Sequence, residues 1–82
     1  MARADKTYQK VMTGKSDNNI DFEDFRYMIK CLGFRERIRG DHHFFTRDDI
    51  PERINIQPVG NKAKPYQVRQ VKEIMTKYDL EV

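Results

Sequence analysis

What this chain has little of narrows its possibilities quickly. It holds a single cysteine, Cys31, so no intrachain disulfide can form and no cysteine pair can grip zinc. A lone thiol of this kind reads as a small, semi-buried apolar side chain in a reducing, cytoplasmic setting. Glycine is sparse, at four residues. None of the four sits in a phosphate-cradling Gly-rich loop or a Gly-x-Ser-x-Gly elbow, so the common nucleotide-binding and serine-hydrolase signatures are absent. No apolar run approaches the ~18 residues that cross a bilayer, and no membrane association is expected. Length is short too. The 82 residues allow one small domain, with no room for a cofactor domain beside a substrate domain. No group of His, Cys and carboxylates has metal-ligand spacing, and Asp48-Asp49 reads as a solvated turn. Neither a metal nor a cofactor is expected.

What is present is charge. Lys and Arg number 16 against 13 Asp and Glu, for a net charge of +3 and a pI near 9.1. Small basic domains often meet phosphate. Leu, Ile, Val and Phe together make up 19 of the 82 residues, just above the roughly one-fifth below which disorder is expected. They cluster periodically, which predicts a folded domain.

Residues 1–19 read as a weakly helical extension, with Tyr8, Val11 and Met12 as a short apolar stripe, followed by a polar loop from Gly14 to Asn19. Asp21 is a helix cap, and Glu23 and Asp24 suit the positive end of a helix dipole. Phe22, Phe25, Ile29 and Leu32 recur at helical spacing, with Met28 on the same side, and Gly33 supplies a left-handed stop. A helix over Phe22–Leu32 follows. The period then drops to two. Phe34–Arg39, His42–Arg47 and Arg53–Gln57 read as three strands, with turns at Gly40-Asp41 and Asp48–Glu52. In the first strand Phe34 and Ile38 share one face, and Arg35, Arg37 and Arg39 share the other. Ile54 and Ile56 face inward on the third. Pro58–Lys64 reads as a loop and Pro65–Tyr78 as a second helix, with Val68, Val71, Met75 and Tyr78 at helical spacing. The expected fold is α+β, a three-stranded antiparallel meander with both helices on one face. This α-β-β-β-α order is that of the double-stranded-RNA-binding domain.

Two segments stand out chemically. In His42-His43, adjacent strand residues point to opposite faces, so the pair does not suit a single metal ion. Alternation is expected to put one ring on the core side with Phe44 and the other on the open side with Phe45. Arg35, Arg37 and Arg39 precede the pair and are able to hold a phosphate near an imidazole. Lys62-Ala63-Lys64-Pro65 places two ammonium groups at the start of the last helix, where free N–H groups already favour an anion.

Gly40-Asp41-His42-His43-Phe44-Phe45 resembles the Gly-Ser-His-x-hydrophobic-aromatic motif of the HicA toxin family. Leu32-Gly33-Phe34, Ile54-Asn55-Ile56-Gln57-Pro58 and Lys62-Ala63-Lys64-Pro65-Tyr66-Gln67-Val68 resemble further family segments. The similarity spans about Asp21 to Leu80 with spacings preserved. The resemblance implies a double-stranded-RNA-binding-like fold, cleavage of mRNA as one half of a type II toxin–antitoxin pair, and neutralisation by a HicB antitoxin partner. It implies His42 as the essential histidine, with His43 the second choice. Asp41 departs from the usual Ser or Thr, and an acid there either repels a phosphate or pairs with His42. RNA carries its own nucleophile, the 2′-OH, so imidazole proton transfer and cationic charge stabilisation suffice for cleavage. Arg37, Arg39, Lys62 and Lys64 are the candidate phosphate ligands. The alternative is a double-stranded-RNA-binding module without catalysis.

Overall fold

A computed structural model describes residues 3–14 and 19–82 of the chain. The elements are α1 (Arg3–Thr13), α2 (Phe22–Cys31), β1 (Arg35–Arg39), β2 (His42–Arg47), β3 (Ile50–Ile56), β4 (Pro58–Val59), β5 (Lys62–Ala63) and α3 (Pro65–Lys77). The expected α+β layout is present: helix, three-stranded antiparallel sheet in the order β1-β2-β3, then helix. No helix among the described residues is long and apolar enough to cross a membrane.

The start of α2 follows from its capping chemistry. The Asp21 carboxylate accepts a hydrogen bond from the Asp24 amide at 3.1 Å, and Glu23 and Asp24 occupy the first turn. Phe22, Phe25, Met28 and Ile29 turn inward. Cys31 falls on the outer side and is exposed, not semi-buried. Gly33 leaves the helix at φ 95°, a conformation only glycine adopts at little cost. Arg47 Nη1 donates to the freed Leu32 carbonyl at 2.8 Å.

Gly40 (φ 60°) and Asp41 join β1 to β2 as a two-residue turn. Gly40 takes the first turn position, where a hairpin of this length favours glycine. β3 begins at Ile50, three residues before its expected start. Pro51 is tolerated there because β3 is an edge strand, which has a side with no neighbour to receive a hydrogen bond. Ile50, Ile54 and Ile56 all point into the core.

Two segments differ from the sequence reading. The Pro58–Lys64 loop contains a ribbon of β4 paired with β5. It is fastened to the chain before α2: the Ala63 amide donates to the Ile20 carbonyl and the Phe22 amide to the Asn61 carbonyl, both at 2.9 Å. The Phe22 amide is one of the helix's unpaired first-turn donors, and the ribbon satisfies it. The N-terminal stretch forms a complete helix that packs on α2 and α3. Ala4, Thr7 and Val11 are its buried stripe, and the Tyr8 hydroxyl donates to the Leu80 carbonyl at 3.1 Å. The expected stripe of Tyr8, Val11 and Met12 packs on the core, and Ala4 and Thr7 extend it although they add little to an apolar pattern. Residues 15–18 of the expected polar loop lie outside the described residues.

The core lies between the helices and one face of the sheet. Phe25, Phe45, Met28, Ile29, Ile56 and Val68 are completely buried. Replacing Phe45 with alanine should cost about 3–5 kcal/mol, a large share of the roughly 5–15 kcal/mol typical of a whole domain. Asp21→Ala should cost about 1 kcal/mol through the lost cap. Urea denaturation followed by circular dichroism measures both. A Phe45→Ala protein with an unshifted midpoint would mean that this ring is not central to the core.

Candidate functional site

Strand pairing decides where each histidine points. His43 lies opposite Ile56, and Phe45 opposite Ile54. Cross-strand partners share a face, and both isoleucines are buried, so His43 and Phe45 face the helices. His42 and Phe44 face the open side, where the rings stack 6.1 Å apart. This inverts the expected arrangement. Alternation alone allows either parity, and the register against β3 selects one.

His43 is the more constrained ring, with 12% of its side chain exposed. Its Nδ1 lies 2.7 Å from Glu36 Oε2, and its ring meets the Phe22 ring edge-on at 5.0 Å. Glu36 comes from the inner face of β1 and is itself buried. Arg26, on α2, donates to the same carboxylate through Nε at 2.5 Å and Nη2 at 2.9 Å, and through Nη1 to Glu23 at 2.7 Å. Lys30 Nζ approaches Glu36 at 3.8 Å. Burial, the largest single influence, pushes the Glu36 carboxyl upward. Hydrogen bonds from Arg26 and His43, with their charges, outweigh it and hold the group below its ordinary 4.5. The hydrogen bond to Glu36 likewise raises the Arg26 guanidinium, which stays protonated. His43 Nε2 has no hydrogen-bond partner among the described residues. Ile38, opposite His43 on β1, is on the expected inner face but is 52% exposed.

His42 is held loosely. Its Nδ1 lies 3.4 Å from Asn55 Oδ1 and its Nε2 3.9 Å from Asp41 Oδ1, and both partners of the Asp41 contact are exposed. An exposed contact of that length contributes little.

The candidate cations divide between two surfaces. Arg37 and Arg39 lie opposite Phe44 and His42, on the open face. Lys62 and Lys64 lie on the other side. Lys62 pairs through its backbone with Asp21, directly before Phe22, and the Phe22 ring touches His43. Lys64 is the N-cap of α3, makes no side-chain cap hydrogen bond, and is followed by no acid in the first turn. The four cations and His42 therefore do not converge on one point. His43, Lys62 and Lys64 gather around the starts of α2 and α3. Sequence reading missed Glu36 and Arg26. The available signal was an acid on the inward parity of β1, between Phe34 and Ile38.

A second ionic cluster lies on the opposite flank. Glu52 accepts from Lys77 Nζ at 2.7 Å and from the Tyr78 hydroxyl at 2.5 Å. The Lys77 and Tyr78 hydrogen bonds pull its carboxyl down to about 2. Comparison with known protein families, with curated proteins and with solved structures finds no match.

The two depressed carboxyls set the acid response. Each binds its proton less readily folded than unfolded, so its stabilisation is complete above the ordinary 4.5 and is lost as pH falls, for Glu52 toward about 2. Glu36→Gln should lower stability at neutral pH by about 1–3 kcal/mol, by leaving Arg26 short of a charged partner. It should also flatten, without abolishing, the loss of stability below pH 4.5, since Glu52 remains. Thermal melts across pH 2–7 check both. An unchanged pH profile in the variant would show that Glu36 is not held ionised by the fold.

Proposed function

We propose that this chain is a ribonuclease of the HicA toxin kind, acting on mRNA and held in check by a HicB-like antitoxin, with His43 as the proton-transfer group. The observation that carries this reading is the Glu36–His43 pair. A carboxylate on Nδ1 fixes the tautomer and orientation of the ring, leaving Nε2 to take or give a proton. The resemblance implies His42 first, but that ring has no comparable support.

RNA cleavage by its own 2′-OH needs three things. A base removes the hydroxyl proton, donors stabilise the pentacoordinate phosphorus, and an acid protonates the leaving 5′-oxygen. His43 Nε2 supplies proton transfer. Lys62 and Lys64 form a cationic edge at the start of α3 suited to a phosphate. Ile38 and Phe22 flank the ring and limit its exposure to water. An acidic antitoxin surface would meet the same lysines, and its association should slow as salt rises.

Expression of the chain alone should arrest growth. His43→Gln should relieve the arrest and lower cleavage of an RNA substrate by about 10²–10⁴-fold, with the far-ultraviolet circular dichroism unchanged. His42→Gln should lower cleavage far less. Product fragments should end in a 2′,3′-cyclic phosphate, and cleavage should continue in excess EDTA. If His42→Gln is the inactive variant, the proton-transfer group is on the other face. RNA that is shifted but left intact by the wild-type protein would make the chain a binding module.

A further inference from the structure

No element among the described residues covers the sheet face turned away from the helices. This face presents Arg37 and Arg39 from β1, His42 and Phe44 from β2, and Arg53 and Asn55 from β3. Arg37 lies opposite Phe44, Arg39 opposite His42, and Asn55 opposite Phe44 on the other side. A shallow groove of about 310 Å³ runs across the centre, with Arg37, Arg39, Phe44 and Arg53 in its walls.

Apart from Arg35, which pairs with Asp48, the arginines on this face have no carboxylate partner among the described residues. Among the described residues, Arg3, Arg26, Arg35 and Arg47 each hold a carboxylate. Arg37, Arg39 and Arg53 hold none. The outward positions of all three strands carry no acid. The fold thus spends its carboxylates on other arginines and leaves three guanidinium groups around one aromatic ring. That ring is partly exposed and already stacked on an imidazole, 17° from parallel. An anionic ligand with flat apolar surfaces complements such a face on both counts.

We infer that the open face is a platform for single-stranded RNA. Bases stack on Phe44 and His42, and the backbone phosphates lie on Arg37, Arg39 and Arg53. Stacking on an exposed ring is possible only for bases already out of a duplex, so the face selects single strands. Residues two apart on a strand are separated by ~7 Å, so Arg37 and Arg39 can take successive phosphates of an extended chain. His42 and His43 are neighbours on β2, so a strand leaving the platform over the Gly40–Asp41 end of the sheet passes to the His43 side. The identity of the ligand as RNA rests on the ribonuclease reading above. The location of the platform does not.

The test uses the whole chain and a fluorescein-labelled 2′-O-methyl oligouridine of about twelve nucleotides, which binds but has no free 2′-OH and so is not cleaved. Fluorescence anisotropy should show Phe44→Ala weakening the single strand about ten-fold, while leaving the same oligonucleotide in duplex form unaffected. Phe44→Tyr should restore the affinity. Arg37→Ala with Arg53→Ala should reduce the slope of log affinity against log salt by about 1.4, or 0.7 for each phosphate contact removed. Melting temperatures confirm that the variants are folded. Unchanged single-strand binding in both variants overturns the platform and leaves the face to another partner, such as an acidic protein. The same holds if Lys62→Ala with Lys64→Ala alone abolishes binding. Neither result touches the role of His43. Conversely, a wild-type protein that binds through Phe44 but cleaves no RNA upholds the platform and removes the ribonuclease reading.

Discussion

The structure depends on how one buried carboxylate is satisfied. Glu36 sits on the inner face of β1, where an apolar side chain would be expected. Removing a carboxylate from water costs several kcal/mol unless its oxygens are fully bonded. Here they are bonded by Arg26 from α2 and His43 from β2. Three elements are thereby fixed relative to one another by groups that tolerate little displacement. The hydrophobic core beside them supplies most of the stabilisation but is less directional. The ionic cluster sets the angle at which α2 lies on the sheet, and so the position of Phe22 against His43.

The two sides of the sheet treat their charges differently. On the helix side Arg26 is held by Glu36 and Glu23, and Lys77 by Glu52. On the open side, among the described residues, Arg37, Arg39 and Arg53 have no carboxylate partner. Two adjacent histidines therefore occupy different environments, one clamped by a carboxylate and the other stacked on a phenyl ring in a field of guanidinium groups.

Much of this was legible in the sequence wherever the information was local. The α2 and α3 stripes, the Gly33 stop, the Gly40-Asp41 turn and the inward Ile54 and Ile56 all follow from spacing and turn chemistry. What was not legible depended on partners far along the chain. The helix α1 was only weakly marked, because Ala4 and Thr7 add little apolar signal to the Tyr8, Val11 and Met12 stripe. The β4–β5 ribbon exists because residues before α2 offer it hydrogen-bonding groups. The histidine faces were read in the wrong sense because period-two alternation has no absolute phase until β3 is paired. Glu36 was overlooked because an acid between two arginines reads as a solvated strand, and the residues that satisfy it lie on α2 and β2. Lys64 stands where expected, as the N-cap of α3, since that position needed only the Pro65 signal, whereas Lys62 is drawn into β5 beside the start of α2.

The ribbon also bears on the order in which the molecule assembles. Between Ile20–Phe22 and Asn61–Ala63 lies, in sequence, all of α2 and the whole three-stranded sheet. Hydrogen bonds joining these two points close a long loop, and the entropy of closure is recovered only once the intervening elements are in place. The ribbon is therefore a late contact in folding and a clasp on the finished domain. Phe22 and Ala63 are members of the buried core as well as partners in the clasp, so the exchange of their amide protons is expected to follow the parting of the clasp from the core.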